Sequence, residues 1–215
     1  GYVDGESLGG RLKRRGKLPV EEVRRIMKET ADALSAAHAL SVIHRDIKPD
    51  NILLDGTRGR VMVTDFGIAK AMSGGSSATL TSAGVAIGTP QYMSPEQAAG
   101  EKEIDGRSDL YSLGIVSYQM LTAELPFNAP TVAGVLMKQI TEMPPPLEPK
   151  RPDSPEDLTL AVMRCLEKDP ENRWPSADAL RRALESRTVT GYRPTGQTKR
   201  GSAPRFSGES ARRIA

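Results

Sequence analysis

The chain has 215 residues, 38% apolar and 4% aromatic, enough for one sizeable core and a single soluble domain. It contains no run of about eighteen apolar residues to span a membrane, and no signal-peptide pattern opens it. A lone cysteine, Cys165, precludes an internal disulfide and suits a reducing compartment, while two histidines, His38 and His44, are too few for a multi-histidine metal site. The formal charge of +3 is unevenly spread: Ser186–Ala215 holds seven Lys/Arg against one Glu. Residues 1–185 are therefore net acidic, which argues against a nucleic-acid-binding surface.

Taken in order, Tyr2 to Leu8 reads as a short strand or turn carrying Asp4 and Glu6. Pro19 to Ser41 reads as one helix. Pro19 suits its first position and Glu21 and Glu22 its first turn. Val20, Val23, Ile26, Met27, Thr30, Ala31, Leu34, Ala37 and Leu40 form its apolar stripe, with Arg24, Arg25, Lys28 and Glu29 facing elsewhere. His38 is expected to be a packed or capping side chain. The next stretch, His44-Arg45-Asp46-Ile47-Lys48-Pro49-Asp50-Asn51, puts two carboxylates, a lysine and an amide on an irregular loop.

Two short strands follow, Asn51 to Leu54 and Val61 to Thr64, with a turn at Gly56 to Gly59. Such a hairpin brings Asn51 close to Asp65, the first residue of Asp65-Phe66-Gly67. An amide oxygen and a carboxylate are hard donors that suit Mg²⁺ held partly by substrate phosphates. Asp46, in the loop that enters the hairpin, is placed to accept a proton from a hydroxyl nucleophile. Lys48 is a point charge able to steady a migrating phosphoryl group.

Ser73 to Ser82 is small, polar and hydroxyl-rich, the composition of a flexible loop. Gly88-Thr89-Pro90 and Tyr92-Met93-Ser94-Pro95-Glu96 follow it. Asp105 to Gly114 leads a strongly apolar helix that runs to about Leu121, and Thr131 to Ile140 makes a shorter one. Pro144-Pro145-Pro146 is a rigid connector. Pro155 to Leu166 and Ser176 to Arg187 are the last helices, with Ser176 a good N-cap. Lys168 to Pro175 between them holds Arg173 and the only tryptophan, Trp174. From Thr188 the chain is rich in Gly, Pro, Ser, Thr and Arg and is expected to be disordered.

His44-Arg45-Asp46-Ile47-Lys48-Pro49-Asp50-Asn51, followed by Asp65-Phe66-Gly67, resembles the catalytic and metal-binding loops of eukaryotic-type protein kinases. Lys48, two residues after Asp46, follows the serine/threonine pattern. Ser94-Pro95-Glu96 stands for that family's Ala-Pro-Glu, as bacterial members often show. The resemblance covers residues 1–187 and implies an α+β, mainly helical fold. That fold is the large C-terminal lobe of a kinase, with a short β-hairpin beside the catalytic loop, and residues 188–215 form a basic tail or juxtamembrane-type linker. The Gly-rich loop and the Val-Ala-Ile-Lys strand of the smaller lobe are not in this stretch.

The roles that follow are those the resemblance implies. Asp46 is the catalytic base, Lys48 stabilises the moving phosphoryl, and Asn51 and Asp65 hold Mg²⁺ with ATP. The Val3 backbone binds adenine, Leu53 lies beneath it, and Glu6 or Ser7 falls at the ribose. Thr79 and Thr81 are activation-loop phosphosites, with Arg45 as partner to the phosphorylated loop. Thr89 lies near the incoming hydroxyl. His44, Phe66, Asp109 and the buried pair Glu96–Arg173 are structural. The implied function is transfer of the ATP γ-phosphoryl to Ser/Thr of protein substrates, in the cytoplasm. Self-association would serve autophosphorylation, and a membrane tie arises only if a span follows the tail in a longer protein. A catalytically inactive lobe that docks partners is the rival from another class, and a stretch cut from a longer polypeptide is the third reading.

Overall fold

The computed structural model describes residues 5–56, 60–66, 89–192 and 194–195. The chain order is β1 (Gly5–Ser7), α1 (Leu8–Arg15), α2 (Val20–Ala39), β2 (Ile52–Asp55), β3 (Val61–Val63), α3 (Pro95–Ala99), α4 (Arg107–Thr122), α5 (Val132–Thr141), α6 (Glu156–Cys165) and α7 (Ala177–Ser186). Single 3-10 turns occupy Pro49–Asn51, Pro90–Tyr92 and Pro170–Asn172. Val3, Thr79, Thr81 and Gly67 lie outside the described residues.

Helix α4 is the axis of the lobe. It is buried around almost its whole circumference, and Leu110, Leu113, Ile115, Val116, Met120 and Leu121 are all fully buried, as in a helix wrapped on every side. Each such side chain contributes about 2 kcal/mol through burial. Gly114 lets α6 approach closely: a Cβ there would sit 2.7 Å from the Cys165 Cβ. Helix α2 packs against α4, α7 and β3, burying Val23, Ile26, Met27, Ala31 and Leu34.

The predicted polar face of α2 needs correction. Arg24 is buried and makes a two-pronged pair with Asp157, at 2.6 and 3.2 Å. Glu29 Oε2 accepts from Val61 N at 2.7 Å and so ties β3 to the helix. Covered on two flanks, α2 has little face left for solvent. Leu40, assigned to the stripe, is 78% exposed, because the helix ends at Ala39 and the chain turns at Ser41 (φ 58°). Pro19 is the N-cap, one residue before the expected position.

The three strands form one antiparallel sheet in the order β1-β2-β3, with Ser7 opposite Leu53 and Ile52 opposite Val63. Asn51 belongs to the 3-10 turn rather than the strand, yet Thr64 N donates to Asn51 O at 2.9 Å. That bond closes the hairpin at the end where Asp65 leaves it. Ser7 caps α1, Ser94 caps α3 in a capping box with Gln97, Thr131 caps α5 and Ser176 caps α7.

The chain stays on the lobe beyond Arg187. Val189 and Tyr192 pack on the core. Tyr192 Oη and Thr195 N both donate to Glu167 Oε1, at 2.7 and 3.0 Å. The Arg164 guanidinium lies 4.4 Å from the Trp174 ring centre and 5.6 Å from that of Tyr192. A buried Glu167 requires donors, and Tyr192 and Thr195 supply them. Tyr192→Phe keeps the ring but leaves the carboxyl a donor short. It is expected to cost about 1–3 kcal/mol, read as a lower denaturation midpoint at unchanged m-value. An unmoved midpoint would mean that the hydroxyl contributes nothing.

Candidate active site

One buried carboxyl organises the loop before the hairpin. Asp109, 1% exposed in the first turn of α4, accepts from His44 N at 2.9 Å and from Arg45 N at 2.8 Å. His38 Nε2 meets the same group at 2.8 Å. His38 has space there because Gly106 has no side chain; a Cβ would lie 2.5 Å from its Nδ1. Gln97 Nε2 reaches back from α3 and donates to Arg45 O at 3.0 Å. Arg45 is thus pinned on both sides of its backbone, and it occupies the left-handed region at φ 63°. For a residue with a Cβ that conformation costs about 1 kcal/mol or more and persists only where the surroundings enforce it.

His44 is fully buried and both ring nitrogens are engaged. Asp46 N donates to Nδ1 at 3.2 Å, so Nδ1 carries no proton. Nε2 then donates to Thr64 O at 2.8 Å. A neutral imidazole used at both ends has no free nitrogen for proton transfer, which assigns it to holding the loop against the hairpin. Phe66 lies against it, ring centres 4.7 Å apart and tilted by 55°.

The chemistry-bearing groups gather around Asp46. Its Oδ2 accepts from Lys48 Nζ at 3.0 Å and from Asn51 Nδ2 at 3.3 Å, and its carbonyl accepts from Asn51 Nδ2 at 2.8 Å. The Asp46 side chain is 25% exposed, reachable from solvent yet fixed by two donors. With its amide nitrogen spent on Asp46, Asn51 has its oxygen to offer a cation. Asp65 is exposed at φ 58°, at the same end of the hairpin. Among the described residues no group of three or more His, Cys, Asp or Glu is arranged to hold a metal ion alone. Two oxygen donors fit a hard cation that keeps waters and arrives with phosphates. Leu53 is half-buried, between the buried Ile52 and Leu54 that face the core.

A second cluster supports residues 89–96. Arg173 Nη1 and Nη2 donate to the two oxygens of Glu96 at 2.7 and 2.8 Å. Its remaining protons go to the carbonyls of Glu167, Arg107 and Lys168, at 2.7, 3.1 and 2.8 Å. All five donors of this buried guanidinium are spent. Burial alone would raise the Glu96 carboxyl; Arg173, with Ser108, outweighs it and holds it below the ordinary carboxylate range. The carbonyls of Pro90, Gln91 and Tyr92 accept from side chains beneath them: Gln139 Nε2 donates to Gln91 O at 2.8 Å and to Pro90 O at 3.4 Å, and Ser112 Oγ to Tyr92 O at 2.7 Å.

Not every expected residue is joined to this centre. Thr89 makes no hydrogen bond with Asp46; its carbonyl accepts from Tyr92 N at 3.1 Å. Glu6 is taken up by Arg11 and Arg14, and Ser7 by Gly10 N. Gln97 and Gln139 were missed by sequence reasoning. Ser94-Pro95-Glu96-Gln97 carries a capping-box spacing that could have flagged Gln97, whereas nothing local marks Gln139.

The protein kinase domain family matches residues 1–184. The chain is 43% identical to serine/threonine-protein kinase pkn3 of Myxococcus xanthus over 86% of its own length and 35% of that protein's. It is 42% identical to PknA of Mycobacterium tuberculosis, over 83% of its length and 40% of PknA. The crystal structure of the Mycobacterium tuberculosis PknI kinase domain superposes with a TM-score of 0.65 at 28% identity, covering 87% of this chain and 64% of that one. This chain belongs to the protein kinase family, with bacterial serine/threonine kinases among its relatives, and its mainly helical fold with one small sheet is a protein-kinase fold. It spans between 23% and 40% of the length of the curated relatives it matches.

Proposed function

We propose that this chain is the large lobe of a serine/threonine protein kinase that transfers the γ-phosphoryl of Mg-ATP to Ser or Thr hydroxyls of proteins. The observation that carries the reading is the Asp46 carboxyl, held by Lys48 and Asn51 in a loop pinned at both faces of Arg45. In this reading Asp46 orients the acceptor hydroxyl and takes its proton as the oxygen bonds to γ-phosphorus and ADP leaves. Lys48 offsets charge on the moving phosphoryl, and Asn51 and Asp65 would hold Mg²⁺, which would supply positive charge against the phosphates. Leu53 underlies the adenine, with the Val3 backbone at its edge. Such catalysis is positioning and electrostatics. Thr79 and Thr81 are the proposed phosphosites that order the following loop through Arg45, and self-association serves their phosphorylation. Cytoplasmic placement is part of the same proposal; no helix among the described residues is long and apolar enough to cross a membrane.

The rival is a docking module that binds acceptors without catalysis. Incubating the full-length polypeptide with γ-labelled ATP, Mg²⁺ and a protein acceptor separates the two. The kinase reading expects label on Ser and Thr, dependent on the divalent ion. Acceptor binding without label would give the lead to the module. An active preparation with neither Thr79 nor Thr81 modified would remove the loop switch.

A further inference from the structure

The turn Pro90–Tyr92 is tied to a buried lysine through a continuous run of hydrogen bonds. Gln139 on α5 is wholly buried. Its amide nitrogen holds the carbonyls of Gln91 and Pro90, and its Oε1 accepts from Tyr111 Oη at 2.8 Å. Tyr111, fully buried on α4, in turn accepts from Lys168 Nζ at 2.8 Å. Lys168 also donates to the carbonyls of Gln139 and Lys138 at the end of α5, at 2.8 and 3.5 Å. Its amine lies 3.9 Å from the Phe127 ring centre and 5.3 Å from that of Tyr111. Lys168 forms no ion pair with any described residue. The charges that bear on it are Arg173, which repels it, and Glu142 and Glu167; Glu142 is paired with Lys138, and Glu96 is taken by Arg173.

We propose that Gln139, Tyr111 and Lys168 are positioning residues that clamp the substrate-side turn, and that the clamp is released when Lys168 gives up its proton. The proposal rests on the kinase reading for the expectation that Thr89, which opens this turn, lies near the acceptor hydroxyl. The direction of each hydrogen bond carries the argument. A protonated Lys168 has three protons for three acceptors and no lone pair. The Tyr111 oxygen must accept from it, so the one Tyr111 proton goes to Gln139 Oε1 and fixes the amide that holds the turn. A neutral amine has two protons and a lone pair. It keeps both carbonyls at the end of α5 and accepts from Tyr111, whose proton leaves Gln139. The amide then loses the bond that fixed its rotation beneath Pro90 and Gln91.

Burial depresses the Lys168 amine, with the charge of Arg173 adding to it, to about 7, which places the release at neutral pH. The unfolded chain keeps this proton up to the ordinary lysine range. Between about 7 and about 10 the unfolded state therefore binds the proton that the folded state lacks, and the fold gains stability from this group as pH rises. Global stability and the clamp thus move in opposite directions across that window, which separates them experimentally.

Hydrogen exchange on the chain as it stands tests this. The readout is the protection factor, corrected for intrinsic exchange, of the Tyr92 and Met93 amides, which close the turn onto Thr89 O and Pro90 O. Wild type is expected to lose roughly three- to tenfold protection there between pH 6 and pH 8.5, the worth of about one hydrogen bond. Lys168→Met should remove the pH dependence. Tyr111→Phe keeps the ring and Lys168 and breaks only the relay, so it too should be flat, and it stands in should the lysine variant fail to fold. A flat wild-type profile, or an unchanged slope in Tyr111→Phe, overturns the clamp. No phosphoryl transfer is needed for the measurement, so a failed kinase reading and a failed clamp are told apart.

Discussion

Asp46→Asn is expected to lower phosphoryl transfer by the full-length polypeptide by about 10²–10⁴-fold while the lobe stays folded. The substitution is nearly isosteric. The loop's shape does not depend on the Asp46 side chain: Asp109 holds the backbone of His44 and Arg45, Gln97 holds the Arg45 carbonyl, and Asn51 still has the Asp46 carbonyl as acceptor. What is lost is the basic oxygen that the proposed mechanism directs at the acceptor hydroxyl and the charge that Lys48 meets at 3.0 Å. The loss should fall on kcat, with KM for ATP little changed, because the proposed mechanism sets Asp46 against the acceptor and not the nucleotide. Initial rates on a Ser/Thr peptide, run beside a thermal melt, measure both. A rate within about threefold of wild type at an equal melting point would remove Asp46 from the proton-transfer role.

What could be read in the sequence follows from how local the physics is. The hairpin was legible because two short apolar runs flank a Gly-bounded turn, and closing it places Asn51 beside Asp65 whatever surrounds them. Asp109 and Arg173 were legible only through a motif; spacing alone would have left both as surface charges. Contacts that depend on which helix covers which face were not legible. Arg24 and Glu29 have the composition of a solvated face and turn inward because α7 and β3 cover them. Gln139 is an ordinary polar residue in an amphipathic helix, and only the position of the Pro90–Tyr92 turn gives it partners. The docked stretch after Arg187 has a disordered composition, yet two donors to Glu167 and one ring against Arg164 hold it to the lobe.

Arg173→Met is expected to destabilise the lobe by about 3–5 kcal/mol, the largest effect of any single replacement considered. The arginine is 1% exposed and Glu96 6%. Removing the guanidinium leaves a buried carboxylate with Ser108 as its remaining side-chain donor, and it strips the donors from the carbonyls of Glu167, Arg107 and Lys168. Glu96→Gln should cost less, because its oxygen can still accept from Arg173. Replacing both by apolar residues should cost less than the sum of the two singles, since no unpaired charge is left behind. The pair also sets an acid limit. The folded Glu96 carboxyl lies below its unfolded value of about 4.5. Its contribution is therefore complete above that value and is lost as pH falls through the folded one. Denaturant unfolding of the two singles and the double at pH 7, and of wild type down to pH 3, reads all of this. A single Arg173→Met cost under about 1 kcal/mol would show that water enters and solvates Glu96, and that the anchor between residues 89–96 and the 168–175 loop lies elsewhere.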